Sequence, residues 1–137
     1  MKLRSLLFVP GDRPERMVKA LASGADALIL DLEDSVVPAK KAEARAAVRA
    51  FLCSCAGRSP ERRLGETGLL PAQEHMRFFV RVNPLDSGLI DDDLAAILAG
   101  NPDGIVLPKA EGAASLAALD AKLDWAGADG CSILPVA

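Results

Sequence analysis

Five short apolar runs, separated by amphipathic or Ala-rich stretches, constrain this 137-residue chain more than any other feature of it. Ser5–Val9, Ala27–Leu32, Arg77–Val82, Gly104–Leu107 and Ser132–Val136 read as strands. Ala27–Leu32 (ALILDL) is an almost continuous apolar run, as a strand covered on both faces requires. Pro14 opens a first helix that Gly24 ends, with Met17, Ala20 and Leu21 inward. Pro38–Leu52 is a second, with Ala42, Ala46, Val48 and Leu52 as inward positions. Asp91–Leu98 and Ala113–Trp125 are the third and fourth. Strand alternating with helix implies repeated βαβ units, a parallel sheet and right-handed crossovers.

Strand centres fall near residues 7, 29, 79, 106 and 134, so one interval is about twice the others. The excess lies in residues 53–76, rich in Gly, Pro and Arg and without a period, which reads as an atypical loop insertion. The polar residues that close the strands are the second constraint. Asp31, Glu33, Asp34, Arg81, Asn83, Lys109 and Glu111 each follow directly on an apolar core. In a (β/α) barrel all of these positions share one rim, the carboxyl-end face where active sites sit. A doubly wound, flavodoxin-like sheet also gathers them at one edge, so a small binding domain of that kind stays open as an alternative.

Composition excludes several classes. Half the residues are hydrophobic and 4% aromatic, an aliphatic balance that suits parallel strands under helices. A net charge of −3 argues against nucleic-acid binding. The apolar run near the N-terminus is too short for a membrane span or a signal peptide, which places the expected protein in the cytoplasm, away from membranes. Cys53, Cys55 and Cys131 have no metal-knuckle spacing and His75 is the sole histidine, so reduced, structurally incidental thiols are expected. Neither a Gly-x-Gly-x-x-Gly turn nor a P-loop is present.

Arg81 at the end of the third strand can grip a carboxylate with two parallel N–H bonds and polarise an adjacent carbonyl. Asp31 and Glu33 point to one side of an extended strand end and Asp34 to the other. Glu33 or Asp34 could orient Arg81; capping the next helix or pairing Lys40 and Lys41 is the structural alternative. Arg13, Arg16 and Lys19, three apart, share a helix face. Lys109 and Glu111 read as a strand-end ion pair or as substrate aids. Asn83 is expected to secure its own loop by a local hydrogen bond, and His75 to lie on the surface.

In order along the chain, RSLLFVPGDRPERMVKA, DALILDLEDSVVPAKKAEAR, FVRVNPLDSG and DGIVLPKAE resemble the first half of the citrate lyase β-subunit-like CoA-ester lyases of the HpcH/HpaI aldolase superfamily, with malyl-CoA and citramalyl-CoA lyases as relatives. The resemblance spans nearly the whole chain apart from residues 53–76. It implies a (β/α)8 TIM barrel, of which residues 1–137 are the N-terminal part of one domain, assembled as a trimer or hexamer. It implies cleavage or formation of a C–C bond between an acyl-CoA and a 2-keto acid, with Mg²⁺ as cofactor. On this resemblance Arg81 binds the keto acid, and Glu33 or Asp34 accepts a metal-bound water. Phe8, Arg16 and Lys19 contact CoA, with Asn83 beside the substrate and Asp31, Lys109 and Glu111 in support. The metal-ligating Glu and Asp are expected beyond Ala137, so this stretch alone holds no metal ligand and is expected to be inactive as an isolated piece.

Overall fold

The computed structural model describes residues 3–55, 76–127 and 131–136. Of the insertion expected at residues 53–76, residues 56–75, His75 among them, lie outside the described residues, whereas Cys53 and Ser54 belong to a helix and Met76 is buried in the core. Five parallel strands form one sheet: β1 (Leu6–Pro10), β2 (Ala27–Asp31), β3 (Arg77–Arg81), β4 (Gly104–Leu107) and β5 (Ser132–Pro135). Four helices join them: α1 (Pro14–Ala20), α2 (Lys41–Ser54), α3 (Ile90–Ile97) and α4 (Ala113–Trp125). The strands are hydrogen-bonded in the order β1-β2-β3-β4-β5, every pair parallel. A flavodoxin-like sheet would place β1 between β2 and β3, so that alternative is excluded. Consecutive neighbours all the way across are the arrangement of a contiguous arc of a (β/α) barrel.

The period-2 geometry of a strand divides the sheet into two faces. Val9, Leu28, Leu30, Phe78, Val80, Ile105 and Leu107 meet the helices in the main core, with Met17, Val48, Leu52, Ile97, Leu119 and Leu123. Each such side chain contributes about 1.5–3 kcal/mol on burial. The alternate positions Ala27, Ile29, Phe79 and Val106 form a second, smaller cluster on the inner face, with Leu3 and Leu134 against it. Gly104 belongs to this inner layer because the Phe79 ring occupies the space a Cβ would need.

The helix face of α2 corrects the sequence reading. Ala44, Val48, Phe51 and Leu52 are buried, whereas Ala42 and Ala46 are exposed. Alanine carries too little hydrophobicity to mark a face when most of a helix is Ala and charge. The helix also runs on through Cys53 and Ser54, after a 3₁₀ turn at Pro38–Lys40. Cys53 is exposed, Cys55 buried and Cys131 half-buried. No helix among the described residues is long and apolar enough to cross a membrane.

Two aspartates tie the amino ends of the strands together. Asp26 Oδ2 accepts the Arg4 and Ser5 backbone N–H groups at 2.6 and 3.1 Å, and Asp103 Oδ2 accepts that of Phe78 at 2.8 Å. At the carboxyl ends the loop after β1 is anchored by Gly11, whose N–H donates to the Asp31 carbonyl at 2.8 Å. A Cβ at Gly11 would sit 2.6 Å from that same oxygen, so only glycine lets the loop approach this closely.

Candidate active site at the carboxyl ends of the strands

Strand register sets the site. Pro10 stands opposite Asp31, Asp31 opposite Arg81, and Arg81 opposite Val106. Asp31 and Arg81 are therefore neighbours on the inner face, and they form a forked pair. Arg81 Nε donates to Asp31 Oδ1 at 2.8 Å and Nη2 to Oδ2 at 2.7 Å. The carboxylate also accepts the backbone N–H groups of Glu33 (2.9 Å) and Ser35 (3.0 Å). Burial alone pushes the Asp31 carboxyl up; the bonds from Arg81, Ser35 and Glu33 together outweigh it and hold its pKa below the ordinary value. The same pairing raises the pKa of Arg81 against the opposing effect of burial.

Glu33, 5% exposed, completes the acidic side of the mouth. Its Oε1 lies 3.5 Å from Arg81 Nε and its Oε2 3.4 Å from Lys109 Nζ. Lys109 thus pairs with Glu33 and not with Glu111, which differs from the strand-end pair expected from sequence. Lys109 has a left-handed backbone (φ +53), an uncommon conformation for a non-glycine residue and a local cost of order 1–3 kcal/mol. That turn brings Lys109 toward β2, while exposed Glu111 continues to the start of α4, its N–H donating to Ser115 Oγ. Phe8, half exposed, lies under the guanidinium, with Arg81 Cζ 4.8 Å from its ring centroid. Such a contact is worth about 0.5–1 kcal/mol at an exposed site and fixes the tilt of the Arg81 plane.

Asp34 is exposed and makes no ion pair among the described residues. It lines an open cavity of ≈ 550 Å³ together with Glu33, Lys41, Asn83, Asp86 and Lys109. Arg13, Arg16 and Lys19 are exposed at and along α1, and none is ion-paired among the described residues. The structure therefore links Phe8, Asp31, Glu33 and Lys109 into one cluster around Arg81, with Lys109 joined through Glu33, sets Asp34 and Asn83 at the edge, and leaves Arg16, Lys19 and Glu111 apart.

Asn83 does more than secure its own loop. Its backbone N–H and its Nδ2 both donate to Asp93 Oδ2, at 2.9 and 2.7 Å, and its Oδ1 accepts Lys41 Nζ at 2.9 Å. These partners are ten and forty-two residues away, so the local bond expected from sequence is replaced by a long-range one. Lys41 Nζ also donates to the Leu32 and Glu33 carbonyls, both at 2.7 Å. Burial lowers the Lys41 pKa, and Asp31, Asp93, Glu33 and Asp34 only partly oppose that effect. Arg45 Nε donates to Asp93 Oδ1 at 2.7 Å. Sequence reasoning overlooked Arg45 and Asp93, though a signal existed. Asp93 falls among Ile90, Leu94 and Ile97, on the buried stripe of α3, where an acid needs a specific partner.

Among the described residues no group of three or more His, Cys, Asp or Glu side chains could hold a metal ion. Asp31 and Glu33 are already occupied by Arg81 and Lys109, so the residues present do not form a magnesium site by themselves.

Comparison with known proteins agrees with this architecture. The chain belongs to the HpcH/HpaI aldolase/citrate lyase family, whose model matches residues 4–61 and 66–128. It is 39% identical over 109 residues to a citrate lyase subunit beta-like protein of Deinococcus radiodurans, covering 80% of this chain and 34% of that protein. It is 36% identical over 119 residues to a (3S)-malyl-CoA thioesterase of Cereibacter sphaeroides, covering 86% and 36%. The citrate lyase beta subunit of Mycobacterium tuberculosis, solved with oxaloacetate and magnesium, superposes with a TM-score of 0.61 at 38% identity, over 83% of this chain and 42% of that one. Protein CitE from the same organism, in complex with magnesium, acetoacetate and coenzyme A, gives 0.60 at 38% identity, over 83% and 35%. The chain spans about a third of the length of the first two relatives. The five strands are thus part of a barrel.

Proposed function

We propose that this chain is the N-terminal part of a magnesium-dependent CoA-ester lyase that breaks or makes a C–C bond between an acyl-CoA and a 2-keto acid. The observation that carries the reading is the Asp31–Arg81 fork on the inner face at the carboxyl ends of the strands. Asp31 engages two of the five guanidinium N–H groups, which leaves both N–H groups of Nη1 and one of Nη2 for an incoming anion. A keto-acid carboxylate suits that planar set of donors, as its second, bidentate ligand. The complex of the M. tuberculosis citrate lyase beta subunit with oxaloacetate, a 2-keto acid, and magnesium supports the ligand class.

In the cleavage direction, the hydroxyl beta to the thioester carbonyl loses its proton. The C–C bond breaks as the keto C=O forms, and the bonding pair passes to the thioester as an enolate, which is then protonated to the acyl-CoA. Arg81 holds the carboxylate of the departing keto acid and neutralises charge growing on the adjacent oxygen, an effect that in other enzymes is worth about 3–4 kcal/mol per donor. Asp31 fixes the guanidinium plane, while Glu33, held by Lys109, adds negative potential that keeps Arg81 charged and aimed. Magnesium belongs to this reading as the cation of the whole enzyme, with its carboxylate ligands expected beyond Ala137. Phe8, Arg16 and Lys19 are the candidates for contact with CoA, and assembly into a trimer or hexamer is part of the same proposal.

The test is turnover of malyl-, citramalyl- and citryl-CoA with Mg²⁺ and product analysis, by the full chain, that is, the full-length enzyme of which residues 1–137 are the N-terminal part. Acyl-CoA plus a keto acid marks a lyase. Free CoA plus a hydroxy acid would replace the lyase reading with the thioesterase activity named for the Cereibacter relative. No release by the full chain from any of the three would reject both.

A further inference from the structure

We infer that Asp93, on α3 and away from the mouth, is a positioning residue that sets the Glu33–Arg81 geometry through Asn83 and Lys41. The inference deepens the function proposed above, but its structural content does not depend on that function being right.

The linkage is complete at the level of donors and acceptors. Asp93 is fully buried, and its carboxylate accepts three bonds: Arg45 Nε on Oδ1, and the Asn83 N–H and Nδ2 on Oδ2. Those two bonds to one oxygen fix both the backbone and the amide plane of Asn83, so that Oδ1 can only face away from Asp93. There it meets Lys41 Nζ at 2.9 Å. An ammonium has three N–H donors, and the other two go to the Leu32 and Glu33 carbonyls at 2.7 Å. Lys41 therefore ties the two residues just after β2 to Asn83, two residues past the end of β3. Between these points lie the Leu32 N–H, which donates to the Arg81 carbonyl at 2.9 Å, and the Glu33 carboxylate, 3.5 Å from Arg81 Nε.

The electrostatics are consistent with one connected unit. Among the described residues Asp93 is the only negative side chain touching Arg45, and the buried Nη2 of Arg45 has no hydrogen-bond partner there. That guanidinium is therefore held by a single carboxylate contact. Removing the Asp93 charge strands Arg45 and frees Asn83 to turn its amide. Lys41 then loses its third acceptor, and the Leu32–Glu33 backbone loses its anchor. A purely local role for Asp93 predicts damage confined to α2 and α3.

Amide hydrogen exchange on the full chain separates these cases. The reporters are the Leu32, Glu33 and Ser35 amides, which donate to the Arg81 carbonyl and to the two Asp31 oxygens. In Lys41→Met and in Asp93→Asn these amides are expected to exchange at least tenfold faster than in wild type. A Leu119→Ala variant, which loosens the core under α4, should leave them within threefold. Keto-acid binding by the full chain should weaken in both relay variants, and the double variant should be no weaker than the worse single one.

Unchanged exchange in Asp93→Asn, or an equal rise in Leu119→Ala, would overturn the inference. If wild type binds no keto acid, the function proposed above fails while the exchange result still decides this one. Should Asp93→Asn fail to fold, Asn83→Ala takes its place, with the same tenfold expectation and the same overturning result.

Discussion

Two arginine–aspartate pairs in this chain look alike on paper and differ in what they leave free. Arg81–Asp31 and Arg45–Asp93 both join a cation 15–17% exposed to an acid at most 2% exposed, and both contain a 2.7 Å contact. At the mouth the pair is forked, the aspartate is shared with two backbone N–H groups, and three guanidinium N–H groups remain beside Phe8. Between α2 and α3 the contact is single among the described residues, the aspartate is spent on Asn83, and the buried Arg45 Nη2 has no hydrogen-bond partner there. The first pair is built to receive an anion; the second is built to join two helices and, through Asp93, to hold Asn83. Burial and charge alone do not distinguish a binding group from a structural one. What separates them is where the unspent donors lie: those of Arg81 at the carboxyl-end mouth, the Nη2 of Arg45 buried in the interior.

The largest effect that would break this contrast is on catalysis. Arg81→Ala in the full chain should lower kcat/KM by at least a hundredfold, or about 2.7 kcal/mol and upward, measured on the best of the three CoA esters. A loss under tenfold would remove the distinction. Next in size is stability. Asp93→Ala leaves Arg45 uncompensated in the interior and should cost about 3–5 kcal/mol in urea unfolding. Arg45→Met, which removes a cation while leaving the buried carboxylate its Asn83 donors, should cost less than Asp93→Ala; the reverse order would mean that Arg45 and not Asp93 is the hub.

A smaller effect concerns pH. The Asp31 carboxyl has a lower pKa folded than the ordinary 3.8, so its contribution to stability is present above about pH 4. It fades as pH falls through the lower, folded value. Urea unfolding of wild type and Asp31→Asn across this range should show their stability difference shrinking as acid is added. A difference that grew toward low pH would contradict the assignment. Smallest of all is the surface bridge from Lys122 to Asp91, 2.7 Å long but exposed; Lys122→Ala should change stability by under about 1 kcal/mol.

How far the sequence foretold this molecule depended on whether the deciding signal was local. Each strand announced itself through its apolar run, and ALILDL, continuous and β-branched at its centre, matches β2 at Ala27–Asp31. The rim followed from the polar residues behind each run. Flavodoxin-like order, by contrast, could be excluded only by seeing β1 at the edge beside β2, because the same βαβ pattern serves both topologies. The Asp31–Arg81 fork spans fifty residues, and no spacing rule selects Asp31 over Glu33 or Asp34. The partner of Lys109 was misread because its left-handed φ, which turns it toward Glu33, has no mark in Pro-Lys-Ala. Asn83 was misread for a similar reason. Its partners sit on other elements, and the clue was an acid among Ile90, Leu94 and Ile97 and not anything near Asn83 itself.

The most direct measurement is calorimetric titration of pyruvate into the full chain with Mg²⁺, comparing wild type, Arg81→Lys and Arg45→Lys. Lysine keeps the charge and loses the fork. The account predicts at least a tenfold weaker Kd for Arg81→Lys and a change within threefold for Arg45→Lys. Equal affinity in wild type and Arg81→Lys would contradict it.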